Sequence, residues 1–242
     1  GLGRAPFSEE SLKLMGQFKP AVVSFHFGLP KAEWVQQLKS WGIQIWSSAT
    51  TVQEAQWLEQ KGVDAVIAQG LEAGGHRGMF LSDDLSTQMG CLALLPQICK
   101  AVKLPVIAAG GISTAAAVSA AKALGANAVQ VGTAFLTSDE ATTSALHRQA
   151  LMSDAAKHTA LTNLFSGRPA RGIVNKFMRD FGPLNPKAPA FPLATAAVAP
   201  LRAAAEAKGQ SDYSPLWSGQ NASDCQALPA ADIADKLLQG WT

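Results

Sequence analysis

The feature that most constrains this chain is a repeat. Short apolar, β-branched runs recur as VVSF at 22–25, IQIWSSA at 43–49, AVIAQ at 65–69, PVIAAG at 105–110 and AVQVGTAF at 128–135, and their starts are separated by 21, 22, 40 and 23 residues. Continuous runs of this length suit strands buried on both faces of a parallel sheet. Helical segments with clear punctuation fill the gaps. Residues 31–41 follow Pro30 and stop at Gly42, residues 52–61 follow Thr51 and stop at Gly62, and residues 114–124 follow Ser113, the expected N-cap, and stop at Gly125. Glu54, three places after Thr51, stands where a capping box needs it. A strand-then-helix unit repeated at about 22 residues argues for a parallel α/β sheet.

The length of 242 residues is near the roughly 250 of a complete (β/α)₈ barrel, which needs eight strands. Five strand-type runs are present, and after residue 136 the rhythm stops. Residues 138–165 read as helical, SGRPARG at 166–172 and the Pro-rich stretch 183–200 as connections, 201–208 as an Ala-rich helix and 229–240 as a final amphipathic helix. Residues 1–137 are therefore expected to form part of a TIM-type α/β barrel, and 138–242 a largely helical region that follows it.

Composition narrows the function. With 48% apolar and 16% charged residues the chain can bury a sizeable core, which excludes disorder of the whole. Twenty basic against eighteen acidic side chains, with no block of one sign, argue against a nucleic-acid partner. Cys91, Cys99 and Cys225 include no C-x-x-C pair, which suits reduced thiols in the cytoplasm and speaks against a disulfide framework or a metal site. The apolar run 189–201 carries three prolines and falls short of the roughly 20 residues a membrane span needs. Residues 1–20 lack the apolar stretch of a secretory signal.

The residues able to carry chemistry gather at strand ends. In AVIAQGLEAGGHRG (65–78) a buried strand runs into a loop containing Gly70, Gly74, Gly75 and Gly78, with His76 beside the Gly-Gly pair. Alone, a glycine-rich loop is as readily a turn, and a loop histidine is more often a surface residue. Placed at the C-terminal end of a barrel strand, the pair becomes a candidate for ligand approach and for base chemistry. PVIAAGGIS puts Gly110 and Gly111 after the next strand, and AVQVGTAF puts Gly132 and Thr133 after the one following. Two successive βα loops with bare backbone N–H groups, one leading into a helix, favour a phosphate site over two plain turns. His26, in VVSFHFG, also follows a strand end and would share the face of His76; a buried, hydrogen-bonded histidine is an equal reading. His147 and His158 read as structural and Asp83 and Asp84 as solvated. Arg168, Arg171, Lys176 and Arg179 read as an exposed basic face open to an anion.

AQGLEAGGHRG, PVIAAGGIS, QVGTAF, VVSFHFGLP and SGRPARG occur together in this order, and with them the sequence resembles the bacterial FMN-containing nitronate monooxygenases. The resemblance implies oxidation of an alkyl nitronate, propionate 3-nitronate foremost, by FMN and O₂, giving an oxoacid or aldehyde and nitrite or nitrate. It implies that Gln69 contacts the flavin ring, that Gly74 and Gly75 pack close to FMN, and that Gly110, Gly111, Gln130, Val131, Gly132 and Thr133 hold its phosphate. His76 is similar to the family's catalytic histidine and His26 to a second histidine of the substrate pocket, with Tyr213, Trp217 and Gln220 near the cofactor. The family also has three further βα units ahead of those seen here. The resemblance therefore implies that residues 1–137 are the C-terminal part, the last five units, of a longer FMN-binding barrel, that 138–242 are its helical substrate-side and capping region with a closing barrel helix, and that the missing N-terminal segment is a candidate partner. The FMN-dependent enoyl-acyl-carrier-protein reductase, which shares the glycine–histidine loop, and an NADH-using flavin reductase of the same superfamily are the enzyme alternatives; an inactive barrel fragment is the other.

Overall fold

The computed structural model describes residues 6–242; the start of the 1–137 unit expected from sequence, residues 1–5, lies outside the described residues. Helix α1 (Glu9–Phe18) opens on Ser8, whose hydroxyl accepts from the Ser11 N–H. The repeat follows as β1 (Val22–Phe25), α2 (Ala32–Ser40), β2 (Gln44–Ala49), α3 (Val52–Gln60), β3 (Ala65–Gln69), a two-residue strand β4 (Gly75–His76), α4 (Cys91–Ala101), β5 (Val106–Ala109), α5 (Ala115–Ala123) and β6 (Ala128–Gln130). Beyond it come α6 (Ala145–Leu151), β7 (Thr159–Thr162), β8 (Ala170–Ile173), α7 (Lys176–Phe181), α8 (Leu193–Glu206) and α9 (Ala230–Leu238).

The five strands of the repeat form one parallel sheet in the order β1-β2-β3-β5-β6. Each strand joins the same growing edge, so the order never reverses as it does in a doubly wound sheet. The result is a curled, singly wound α/β sheet of the TIM-barrel kind. Alternation along each strand separates two apolar layers. Val66, Ala68, Val106 and Ala108 join the main core under the helices, while Ala65, Ile67, Ile107 and Ala109 cluster on the other face with the partly buried Trp46 and Ala128. Register sets the functional end: Gln69 lies opposite Ala109, and Ala109 opposite Gln130. The C-terminal ends of three strands are level, and their loops open at one place.

Several expectations need correction. The run 128–135 is a strand only to Gln130 and turns into a 3-10 helix at Thr133–Thr137. The N-cap of α5 is Thr114, whose hydroxyl accepts from Ala117 N–H, so Ser113 is left to face a cleft. Thr51 does cap α3, but Glu54 does not close the box; its buried carboxylate accepts from the N–H and hydroxyl of Thr50 and from the N–H groups of Phe80 and Leu81. The region 138–165 is α-helical only over Ala145–Leu151, and β7 and β8 pair with β4 in an antiparallel sheet of order β4-β8-β7. Residues such as Arg171 and Gly172 mask β8 in the sequence, because they break the apolar run by which a buried strand is read. The Pro-rich stretch contains the first turns of α8, which carries Pro200 internally. No helix among the described residues is long and apolar enough to cross a membrane.

Candidate active site

The loop after β3 is built around buried polar bonds. Gln69, at the end of β3, donates from Nε2 to the carbonyl of His76 (2.9 Å) and accepts at Oε1 from the Gly78 N–H (2.8 Å), so its amide closes the loop on itself. Arg77 is buried at 1% exposure. It donates to the carbonyls of Gln69 (2.8 Å) and Gly70 (2.7 Å) and to Oε1 of Gln88 (3.0 Å). Burial, and after it the nearby Arg171, push the Arg77 guanidinium down to about 10. It remains a cation near neutrality, a charge held mostly by carbonyl dipoles. Glu72 fastens the same loop to α4 by accepting the Cys91 N–H with both oxygens at 2.9 Å, where Gly90 offers no capping side chain. Gly74 is required by close approach: a Cβ there would meet the Gly219 nitrogen at 2.5 Å.

Pairing of His76 with Ala170 across β4 and β8 brings the imidazole against the later part of the chain. Its Nε2 lies 2.7 Å from Oγ of Ser166. The ring sits among Phe27 (6.0 Å), Phe191 (5.9 Å) and Trp217 (5.5 Å between centroids). The guanidinium of Arg168 stacks over Phe27 at 4.3 Å and donates to the carbonyl of Met79 (2.9 Å). His26 approaches the same loop from β1. Its Nε2 is 3.2 Å from the His76 carbonyl, which can only accept, so Nε2 carries the proton and Nδ1 accepts from the Ser48 hydroxyl at 3.0 Å. Burial lowers the His26 pKa below its usual value despite that backbone bond, which favours the neutral ring.

A cleft of about 260 Å³ opens where the strand ends are level, and most of the expected residues line it: His26, Gln69, Gly74, Gly75, Gly110, Gly111, Gln130, Gly132 and Thr133. His76 and Val131 are not among its walls. His76 packs against Trp217, which does line the cleft, and Val131 packs partly buried against the core. A Cβ on Gly75 or Gly132 would meet nothing within 4 Å, so both leave open space beside the backbone. No carboxylate or cation is in the lining; an anion there would meet N–H groups, hydroxyls and amides at the start of α5.

Sequence reasoning missed Ser48, Ser113, Asn221, Ser166 and Arg77. Asn221 lines the cleft and donates to Oγ of Ser113 at 2.6 Å, and the neighbouring Gly219 N–H donates to Oγ1 of Thr133 at 3.0 Å. Trp217 lines the cleft, Tyr213 packs on Phe177 in the apolar cluster that also holds Trp217, and the Gln220 side chain is exposed. The basic stretch divides: Lys176 and Arg179 are exposed, whereas Arg171 is buried and donates to the Leu71 carbonyl and Thr159. His158 is exposed, and His147 holds the Trp217 carbonyl through Nε2 at 2.9 Å. Asp83 and Asp84 are exposed.

Fold and cleft together define a barrel-type α/β protein whose site lies beyond the carboxyl ends of its parallel strands. A family model described as nitronate monooxygenase matches residues 6–240. The chain belongs to the nitronate monooxygenase family. It is 46% identical to a nitronate monooxygenase of Paraburkholderia phytofirmans over 90% of this chain and 60% of that protein, and 42% identical to one of Pseudomonas aeruginosa over 94% and 65%. Among solved structures, a nitroalkane oxidase from Streptomyces ansochromogenes superposes with a TM-score of 0.87 at 42% identity, covering 94% of this chain and 65% of that one. FabK from Thermotoga maritima superposes at 0.78 with 27% identity, covering 98% and 73%. The chain thus spans about three fifths of the length of the curated relatives it matches.

Proposed function

We propose that this chain carries the FMN-binding and catalytic face of an enzyme that oxidises alkyl nitronates, propionate 3-nitronate foremost, with O₂, giving an oxoacid or aldehyde and nitrite or nitrate. The observation that carries the reading is the juxtaposition of a bare-backbone anion cradle at Gly110–Gly111 and Gly132–Thr133 with the histidine loop, in a member of the nitronate monooxygenase family. The residues present fit FMN. The open space beside Gly75 and Gly132 admits a close ligand, and the start of α5 with Ser113, Gln130, Thr133 and Asn221 suits a phosphate. Bound FMN supplies the one-electron and O₂ chemistry.

The chain's own residues bind, orient and move a proton. Gly74 and Gly75 would pack close to FMN, and Gln69, whose amide holds the loop closed, would contact its ring. His76 hydrogen-bonds the nitronate, or takes the α-proton when a neutral nitroalkane enters; the C–H electron pair then stays on the substrate as the nitronate. His26 keeps the His76 carbonyl in place and lines the substrate side. In this reading the five βα units are the last five of a (β/α)₈ barrel, residues 138–242 cap its substrate side, and the partners are a small nitronate and O₂ in the cytoplasm. The test is oxygen uptake by FMN-reconstituted protein. Uptake with propionate 3-nitronate, and none with NADH as sole electron donor, is the expected result; NADH-driven flavin reduction without nitronate oxidation would replace this reading with a reductase.

A further inference from the structure

We propose that Ser166 is the positioning residue of His76, holding the imidazole in both of its protonation states; the catalytic part of this inference rests on the reading of His76 given above. Ser166 is 5% exposed, and its Oγ lies 2.7 Å from His76 Nε2. The same hydroxyl reaches the carbonyl of Arg168 at 3.2 Å and stands 3.4 Å from the Arg168 N–H. A serine has one proton to donate and two lone pairs to accept with, whereas a carbonyl only accepts. Two arrangements therefore keep Nε2 and Oγ paired. With Nε2 unprotonated, the hydroxyl donates to the ring and accepts from the Arg168 N–H. With Nε2 protonated, the ring donates to Oγ and the hydroxyl turns to donate to the Arg168 carbonyl.

The Ser166 rotor thus gives Nε2 a partner whichever ring nitrogen carries the proton, and a proton taken from a nitroalkane goes to Nδ1, the nitrogen that Ser166 does not hold. A half-buried imidazolium that lost this acceptor would be penalised. The aromatic surroundings of His76 supply no hydroxyl of their own: Phe27, Phe191 and Trp217 pack on the ring. Ser166 reaches it from 90 positions away because β8 pairs with β4. Its part is to orient the ring, with no contact to the reacting carbon.

The experiment compares Ser166→Ala and Ser166→Thr with the unaltered protein, using ¹⁵N–¹H long-range correlation spectra of the imidazoles across a pH titration, with His76 assigned by its loss in His76→Asn. Ser166→Ala is expected to change the Nε2/Nδ1 proton distribution of His76 and lower its pKa, and Ser166→Thr to restore both. Identical His76 titrations in the unaltered protein and Ser166→Ala would overturn the proposal. This readout needs neither FMN nor turnover, so it stands apart from the nitronate reading. In the loaded enzyme, kcat on a neutral nitroalkane should fall about tenfold in Ser166→Ala, the loss expected for one hydrogen bond, with little change on the preformed nitronate. Equal losses on both substrates, unrescued by threonine, would mark Ser166 as merely structural and also overturn the proposal.

Discussion

Arg77 is the largest fully buried side chain among the described residues, and its guanidinium donates to two successive carbonyls at the end of β3 and to Gln88. A lysine cannot reproduce that planar fork. Arg77→Lys would leave at least one buried acceptor without a donor, at about 1–3 kcal/mol each. We expect a loss of about 2–4 kcal/mol, seen in urea unfolding as a lower midpoint with unchanged slope; a loss under about 0.5 kcal/mol, the range of ordinary surface substitutions, would show that the strut is dispensable. The glycines and histidines at strand ends were legible because their residue types and spacing announce backbone access and base chemistry. Arg77 and Ser166 were not. Their roles depend on which carbonyl or ring the fold brings to them, and Ser166 meets His76 only through a pairing between segments far apart in the chain.

At the scale of elements, the parallel strands and their helices follow from apolar runs and glycine stops, and the observed boundaries of β1, β2, β3 and β5 fall within a residue of those runs. The antiparallel pair β7 and β8 was hidden. TALT and ARGI are short, and their buried polar members Thr162 and Arg171 remove the apolar signal that marks a strand. What the pair does is hold β4, and with it His76, against the C-terminal region. The other end of the same loop is held by Glu72 at the N-terminus of α4, where a carboxylate meets both the unpaired N–H and the positive end of the helix dipole. Glu72→Ala should cost about 1–2 kcal/mol, the range for losing a helix cap, and should raise amide hydrogen exchange at Cys91 and along residues 70–78. Unchanged protection at both places would contradict the coupling of loop to helix.

For the molecule as a whole, the agreement between chain length and one barrel was misleading. The five parallel strands lie between Val22 and Gln130, and β1 and β6 are the two edges of the curled sheet. The remaining residues build the small antiparallel sheet and the helices that bring Ser166, Trp217, Gly219 and Asn221 to the strand ends. The cleft, which Trp217, Gly219 and Asn221 help to line, has no charged lining of its own, so under the proposed function selectivity for the FMN phosphate would rest on N–H groups, hydroxyls and the dipole of α5. Comparison of FMN with riboflavin isolates that interaction, because the two ligands share the ring system and differ in the phosphate. Flavin fluorescence titration of the protein should give a Kd for FMN about tenfold or more below that for riboflavin, a difference of at least ~1.4 kcal/mol; equal affinities, or binding of neither, would contradict the account.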